Sequence, residues 1–292
     1  MSELKEIFRA SAYGDLTEVK KYLDDGIDIN GGDEEGYTAL HWAVQEGYIE
    51  LVKYLIEQGA DVNKRDNEWF TALEIACTKG HFEIVKLLIA NNCDIKLDRG
   101  GYTPLHSAAA TGRYEIVKFL IEKGIDVNIK DNEGYTPIHW ATQEGHLEVI
   151  KLLVEMGGNL ETKDDSGFTP LYIASSEGHK EIVKYFISKN INIDTKCESS
   201  SNSTPLNIAG IYNRTDVVEL LLKNGADFEA RDDDGGTPLF NAVLHGNSEV
   251  IKLLLKYGAN KDVKDKEGRN LYDIMPSENK EELLQLLGEH RT

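Results

Sequence analysis

Among the side chains able to serve as general bases, nucleophiles or metal ligands are eight histidines and three cysteines. Six of the histidines recur in two settings. His41, His106 and His139 each stand three residues after a threonine, and His81, His146 and His179 each follow a glycine. A reactive site needs different groups converging once, whereas recurrence at a fixed interval points to a job that every copy performs. His245 and His290 are isolated. Cys77, Cys93 and Cys197 are too few and too scattered for a disulfide framework or a zinc site. Cys77 and Cys93 read as small hydrophobes, while Cys197 lies in an irregular stretch. The glycines recur as turns and caps rather than as a phosphate-cradling loop after a strand, so no nucleotide site is implied. Asn202-Ser-Thr and Asn213-Arg-Thr match the glycosylation pattern, but without a secretory signal they read as chance. The expectation is a non-enzyme with no catalytic residue, cofactor or metal.

The elements that hold these side chains follow from one phrase. Gly101-Tyr-Thr-Pro-Leu-His-Ser-Ala-Ala returns about every 33 residues, as Gly36-Tyr-Thr-Ala-Leu-His-Trp-Ala, Gly134-Tyr-Thr-Pro-Ile-His-Trp-Ala, Gly167-Phe-Thr-Pro-Leu-Tyr-Ile-Ala and Gly235-Gly-Thr-Pro-Leu-Phe-Asn-Ala. Thr103 suits a helix N-cap, and Pro104 the first helical position, where its missing N–H costs nothing. A short first helix is predicted over 104–111, broken at Gly112, with Ala108 and Ala109 allowing close helix approach. A second helix is predicted over 114–123, with Ile116, Val117, Leu120 and Ile121 on one face and Gly124 as a left-handed cap. Asn92 and Asn190 replace that capping glycine, and Asn213 replaces the glycine between helices. Asparagine is the side chain that best tolerates positive φ.

Period and wording resemble the ankyrin-repeat family, whose signature contains Thr-Pro-Leu-His-x-Ala, over almost the whole chain. The resemblance implies an all-α repeat solenoid of helix-turn-helix units with β-hairpin tips, forming one domain over 1–292. Residues 1–32 would be an N-terminal capping repeat and 265–292 a C-terminal capping repeat and tail. Between them, 33–264 would hold seven internal repeats beginning near Asp33, Asp66, Asp98, Asp131, Asp164, Ser199 and Asp232. Stacked at ordinary helix spacing, such units would make a curved, elongated rod on the order of 80 Å long. The resemblance also implies a structural hydrogen-bonding role for His41, His106 and His139, and places His81, His146 and His179 at another family position.

The net charge is −19, from 51 acids against 32 bases. Such a surface repels phosphate backbones and anionic lipids, which argues against nucleic-acid and membrane partners and favours a basic one. No apolar run approaches the ~20 residues needed to span a bilayer, and Met1-Ser-Glu-Leu-Lys-Glu lacks the apolar core of a signal peptide. A reducing, cytoplasmic setting and a monomer are expected.

What the framework leaves free is the surface that would meet a partner. Proteins of the resembled family usually bind other proteins with hairpin tips and the exposed side of the first helix. The residue before each repeat's threonine reads Tyr37, Phe70, Tyr102, Tyr135 and Phe168, then Ser203 and Gly236, an aromatic row over five repeats. Trp42 and Trp140 follow the histidine in near-identical settings, His41-Trp-Ala-Val-Gln-Glu-Gly and His139-Trp-Ala-Thr-Gln-Glu-Gly. Trp69 replaces the hairpin glycine beside Phe70, at a backbone cost with no evident packing gain. Glu34, Glu35, Glu46, Glu133, Glu144, Asp165, Glu177 and Asp233 would give the row an acidic rim. The same aromatics could instead brace their own hairpins. The predicted binding residues are Glu34, Tyr37, Trp42, Glu46, Trp69, Phe70, Tyr102, Tyr135, Trp140, Glu144 and Phe168, holding a Lys- or Arg-containing segment in a concave groove. A microbial effector acting on host proteins through this surface and an enzyme with a cryptic site are the alternatives.

One stretch breaks the pattern. Between Cys197 and Ser203 two extra residues enter, and Ser199 and Asn202 replace the usual Asp and Gly. Asn207 also replaces the usual His or Tyr. A tolerated loop, a contact loop and a hinge between loosely coupled halves are the readings.

Overall fold

Helices of seven to nine residues, too short to persist alone in water, make up nearly every element of this chain. The structure, a computed structural model, describes residues 2–96 and 100–288. Asp98, the expected start of the third repeat, and His290 lie outside them. Seven units carry a first helix and a second: Ala39–Glu46 with Ile49–Glu57, Ala72–Lys79 with Phe82–Ala90, Pro104–Ala110 with Tyr114–Glu122, and Pro137–Gln143 with Leu147–Glu155. The series continues with Pro170–Glu177 and Lys180–Ser188, Pro205–Ile211 and Thr215–Lys223, and Pro238–Leu244 and Ser248–Lys256. Ser2–Ala12 and Leu16–Asp24 precede them, and Lys280–Leu287 follows.

Each first helix starts as its residues dictate. Thr38, Thr71, Thr103, Thr136, Thr169, Thr204 and Thr237 are all N-caps in extended conformation, and Pro104, Pro137, Pro170, Pro205 and Pro238 open their helices. Ala43, Ala76, Ala108, Ala141, Ala174, Ala209 and Ala242 are fully buried where first helices meet. On the second helices, Leu55, Leu88, Leu120, Leu153, Phe186, Leu221 and Leu254 are equally buried. Each such side chain contributes roughly 1.5–3 kcal/mol, so stacking stabilises helices that propensity alone would not. Asn92, Asn190 and Asn213 take positive φ (60°, 57° and 54°), as their replacement of glycine predicts.

The chain divides into two compact units. The first comprises the described residues of Met1–Asn132 and Glu148–Gly158. In it Ser2–Ala12 packs on Ala39–Glu46, which packs on Ala72–Lys79, which packs on Pro104–Ala110; the second helices Ile49–Glu57, Phe82–Ala90 and Tyr114–Glu122 pack in the same order. The other unit comprises the described residues of Glu133–Leu147 and Asn159–Thr292. In it Pro137–Gln143, Pro170–Glu177, Pro205–Ile211 and Pro238–Leu244 pack in sequence, and Lys280–Leu287 covers Ser248–Lys256.

The tips are turns rather than strands. Among the described residues the only β pairing is three isolated antiparallel bridges, Arg65 with Thr71, Cys197 with Ser203 and Lys264 with Asn270. An aspartate closes several of the tips: Asp33 Oδ1 accepts from the N–H groups of Glu35 and Tyr37, and Asp66 Oδ1 from those of Glu68 and Phe70. Single backbone bonds tie neighbouring tips, as from Asn67 N–H to Glu35 O at 2.9 Å and from Asp165 N–H to Glu133 O at 3.0 Å. The approach is close enough to require glycine. A Cβ on Gly36 (φ 83°) would stand 2.7 Å from Asn67 Oδ1.

Candidate functional site

The recurring histidines are fully committed to the framework. Nδ1 of His41, His106 and His139 accepts from the N–H of Thr38, Thr103 and Thr136 at 3.0–3.1 Å. Because Nδ1 accepts, Nε2 carries the proton, and it donates to Lys64 O, Ile129 O and Phe168 O respectively at 3.1–3.2 Å. Burial lowers the pKa of His41 below the ordinary histidine value, against the pull of Asp66 and the backbone acceptors. The imidazole is thus a neutral strut with both nitrogens occupied.

The glycine-following position does a second structural job. His81 and His179 donate from Nε2 to Gln45 O and Gln143 O, near the end of the preceding repeat's first helix. Arg113 reaches Thr78 O, Arg214 reaches Ser176 O, Asn247 reaches Gly210 O and Ile211 O, and Asn279 reaches Gly246 O. These arginines and asparagines escape a search for histidines. For Arg113, Arg214 and Asn247 the signal is the register, one residue after the inter-helix Gly or Asn; Asn279 follows Glu278 and carries no such signal.

All three cysteines are buried free thiols. Burial pushes Cys93 up to about 12 and Cys77 well above its ordinary value, which removes thiolate reactivity at neutral pH. Cys197 donates to Ser166 O at 3.4 Å and packs with Tyr172 and Ile208. Among the described residues no group of three or more His, Cys, Asp or Glu could hold a metal ion.

Cys197–Ser203, read from sequence as a tolerated loop, a contact loop or a hinge, makes side-chain contacts with both neighbouring repeats. Its backbone closes through Cys197 N–H to Ser203 O, over a 3₁₀ turn at Glu198–Ser200. On one side Tyr172 Oη donates to Ser200 Oγ at 2.8 Å, and Lys163 Nζ stands 3.6 Å from Glu198. On the other, Asn202 Nδ2 donates to both oxygens of Asp233, and Asp233 N–H donates to Ser201 O at 2.7 Å. The extra residues supply substitutes for the lost framework contacts. Burial, set against the Ser200 bond, pushes the Tyr172 hydroxyl up to about 12.

The aromatic row has two faces. Each ring braces its own repeat: Tyr37 lies 5.4 Å from the rings of both His41 and Trp42, Tyr102 stacks on His106 at 5.4 Å, and Phe168 stacks on Tyr172 at 5.0 Å. Tyr135 repeats the first arrangement, 5.4 Å from His139 and from Trp140. Yet these rings, with Phe70, stay only half-buried and present an outer surface. Tyr37, Phe70 and Tyr102 belong to the first compact unit; Tyr135, Trp140 and Phe168 belong to the second.

In the first unit the row opens into a cleft of about 660 Å³, lined by Glu34, Glu35, Tyr37, Trp42, Gln45, Asp66, Asn67 and Glu68. Trp42 is fixed there, its Nε1–H donating to Asp33 Oδ2 at 2.8 Å. Tyr37 senses the local charge: burial raises its hydroxyl pKa, and Asp66, Glu68 and Asp33 raise it further. The structure therefore joins predicted Glu34, Tyr37 and Trp42 in one place, together with Gln45, Asp66, Asn67 and Glu68, which the sequence reading did not select. Glu46 and Glu144 are exposed, and Glu46 lies outside the cleft lining. Trp69 is 58% exposed at φ 70°, with the Arg65 guanidinium 5.0 Å over its ring. The second unit carries a smaller trough of about 210 Å³, where Tyr135, Phe168, Tyr172, Ile208 and Tyr212 meet Glu177 and Ser200.

Capped helix pairs, tip aspartates and histidine struts at one interval define a class of repeat protein, and family comparison agrees. A family model described as ankyrin repeats in three copies matches residues 65–131, 127–197 and 194–265, and one described as ankyrin repeats in many copies matches 7–56 and 40–89. The chain belongs to the ankyrin-repeat family. It is also 39% identical over 51 residues to acyl-CoA-binding domain-containing protein 4 of Oryza sativa subsp. japonica, a match covering 18% of this chain and 15% of that protein. This chain thus spans well under two thirds of that relative's length. Ankyrin repeats are in general protein–protein interaction modules, and proteins built of them are typically non-catalytic. No helix among the described residues is long and apolar enough to cross a membrane.

Proposed function

We propose that this protein binds a partner protein without catalysis, through hairpin tips and the outer face of its first helices, and that the partner presents a basic segment. The observation that carries the reading is the cleft beside Trp42, where an indole and a phenol form the walls and four carboxylates form the rim. Rigid aromatics fixed by the repeat lose little entropy on binding, and aromatic side chains dominate interface hot spots. The net charge of −19 favours the approach of a basic partner over an acidic one.

The test is comparative capture. Parent protein and Trp42→Ala are used as baits in extract of the native cell, and proteins retained by the parent are re-measured with purified components. Trp42→Ala should weaken the interaction by at least tenfold, equivalent to about 1.4 kcal/mol, with its melting temperature within a few degrees of the parent. A partner bound equally by both proteins, yet lost on mutating the second helices, would move the binding face away from the tips.

A further inference from the structure

Asp33, Asp66, Asp164, Asp232 and Asp265 each spend one oxygen on their own turn, and the fate of the other oxygen differs among them. Asp33 Oδ2 accepts from Trp42 Nε1, nine residues on. Asp232 Oδ2 accepts from Asn241 Nδ2 at 2.9 Å, again nine residues on. In the last unit Asp265 Oδ2 is taken instead by a guanidinium: Arg269 Nε donates to it at 2.7 Å, from the register that Phe70 occupies in the second repeat. Asp66 has neither device. Nine residues on stands Ile75, which cannot donate, and four residues on stands Phe70. Asp66 is 8% exposed, its Oδ1 holds two backbone N–H groups, and among the described residues no side chain donates to its Oδ2. It lines the Trp42 cleft.

A largely buried residue that lines the cleft and keeps one carboxylate oxygen without a side-chain donor offers an acceptor to a cation with directional N–H groups. The cavity supplies the rest of such a receptor. The indole of Trp42 and ring of Tyr37 offer π faces, and Glu35 and Glu68 offer further acceptors. Glu34 is already engaged by Lys5 at 3.0 Å, in a pair exposed on both sides. A guanidinium meets these features better than an ammonium: it is planar, weakly hydrated, stacks on an aromatic face and carries donors in a fixed fork. Asp164, nine residues before Ile173 and one repeat beyond Trp140, also has no side-chain donor to its Oδ2 among the described residues. There, however, Ser166 stands where Glu68 does and Asp165 where Asn67 does, so the carboxylates are placed differently.

We infer that the cleft of Trp42 and Asp66 is a receptor for an arginine side chain of the partner, whose guanidinium donates to Asp66 Oδ2 as Arg269 donates to Asp265 Oδ2 within the chain. The inference rests on the binding reading above and adds to it the identity of the anchoring residue.

The experiment is titration of protein bearing ¹⁵N-labelled tryptophan with acetyl-Gly-Gly-Arg-Gly-Gly-amide and with its lysine counterpart, reading the three indole N–H resonances. The arginine peptide should shift the Trp42 signal saturably, about tenfold more tightly than the lysine peptide, while Trp69 and Trp140 stay in place. Asp66→Asn keeps an acceptor for the turn but loses the charge, and should weaken the response about tenfold at unchanged melting temperature. Phe70→Arg should abolish the response by filling the site from within, as Arg269 does. Equal response to both peptides, equal shifts of all three indoles, or parent-like binding by Asp66→Asn would each overturn the assignment. If the arginine peptide fails while Trp42→Ala still loses the partner, only the arginine falls and the binding face stands.

Discussion

At the scale of the residue, two side chains sit in the same slot as others and solve its problem differently. His41 bridges Thr38 to the Lys64 carbonyl, whereas Asn207 caps Thr204 with Oδ1 and leaves its buried Nδ2 without a partner. Asn207→His should therefore raise stability by about 0.5–1.5 kcal/mol, provided the imidazole reaches the tip carbonyl as in repeat one. The reverse change, His41→Asn, should cost a similar amount and alter the pH profile. His41 has a folded-state pKa below the unfolded value near 6.5, so the unfolded chain binds its proton first as pH falls. The stability His41 contributes is fully present above pH 6.5 and is lost as pH falls from there through the lowered folded value. Urea midpoints at pH 7.5 and 5.5 should differ less in His41→Asn than in the parent. Trp69 shows the opposite balance, with a bulky side chain at φ 70° where Gly36 stands in the repeat before. Trp69→Gly should stabilise the protein by about 1 kcal/mol while weakening partner binding. Loss of stability would mean that the indole earns its place through packing over Arg65.

At the scale of the element, the first helices were legible because their capping chemistry is local. Thr and Pro at adjacent positions specify where a helix begins whatever surrounds it. The stretch from Cys197 to Ser203 was not legible, because its partners are Tyr172, Lys163 and Asp233, each about 30 residues away. The absence of the usual aspartate and glycine suggested weak coupling. Tertiary contacts replaced them with a buried thiol and bonds to both flanking repeats. Hydrogen exchange should accordingly show amides of Pro205–Ile211 protected within about tenfold of those in Pro170–Glu177, since local opening tracks lost contacts. Protection lower by several orders of magnitude would restore the hinge.

At the scale of the whole molecule, a net charge of −19 produces a field felt over about 8 Å at physiological salt. Steering by such a field acts on association more than on dissociation. The double reversal Glu35→Lys, Glu68→Lys should slow association with the partner severalfold and flatten its dependence on salt, whereas Trp42→Ala should mainly speed dissociation. Stopped-flow or biosensor rates at two ionic strengths separate the two. An association rate unaltered by the reversal would exclude the carboxylate rim from the encounter.

The sequence by itself determined the family, the helix boundaries to within a residue or two and the structural duty of the histidines. The first two depend on short-range rules repeated at one interval, and the third followed from the family that those rules identify. It also singled out Tyr37, Trp42 and Glu34. Only the tertiary structure decided that these meet Asp66, Asn67 and Glu68, because the cleft is made where one tip lies against the next, tied by Asn67 N–H to Glu35 O. Only there does it emerge that Asp66 differs from Asp33, Asp232 and Asp265 in lacking a side-chain donor. A tip aspartate looks the same wherever the sequence repeats it; what its second oxygen meets depends on a side chain four or nine residues on and on the direction in which the fold turns it.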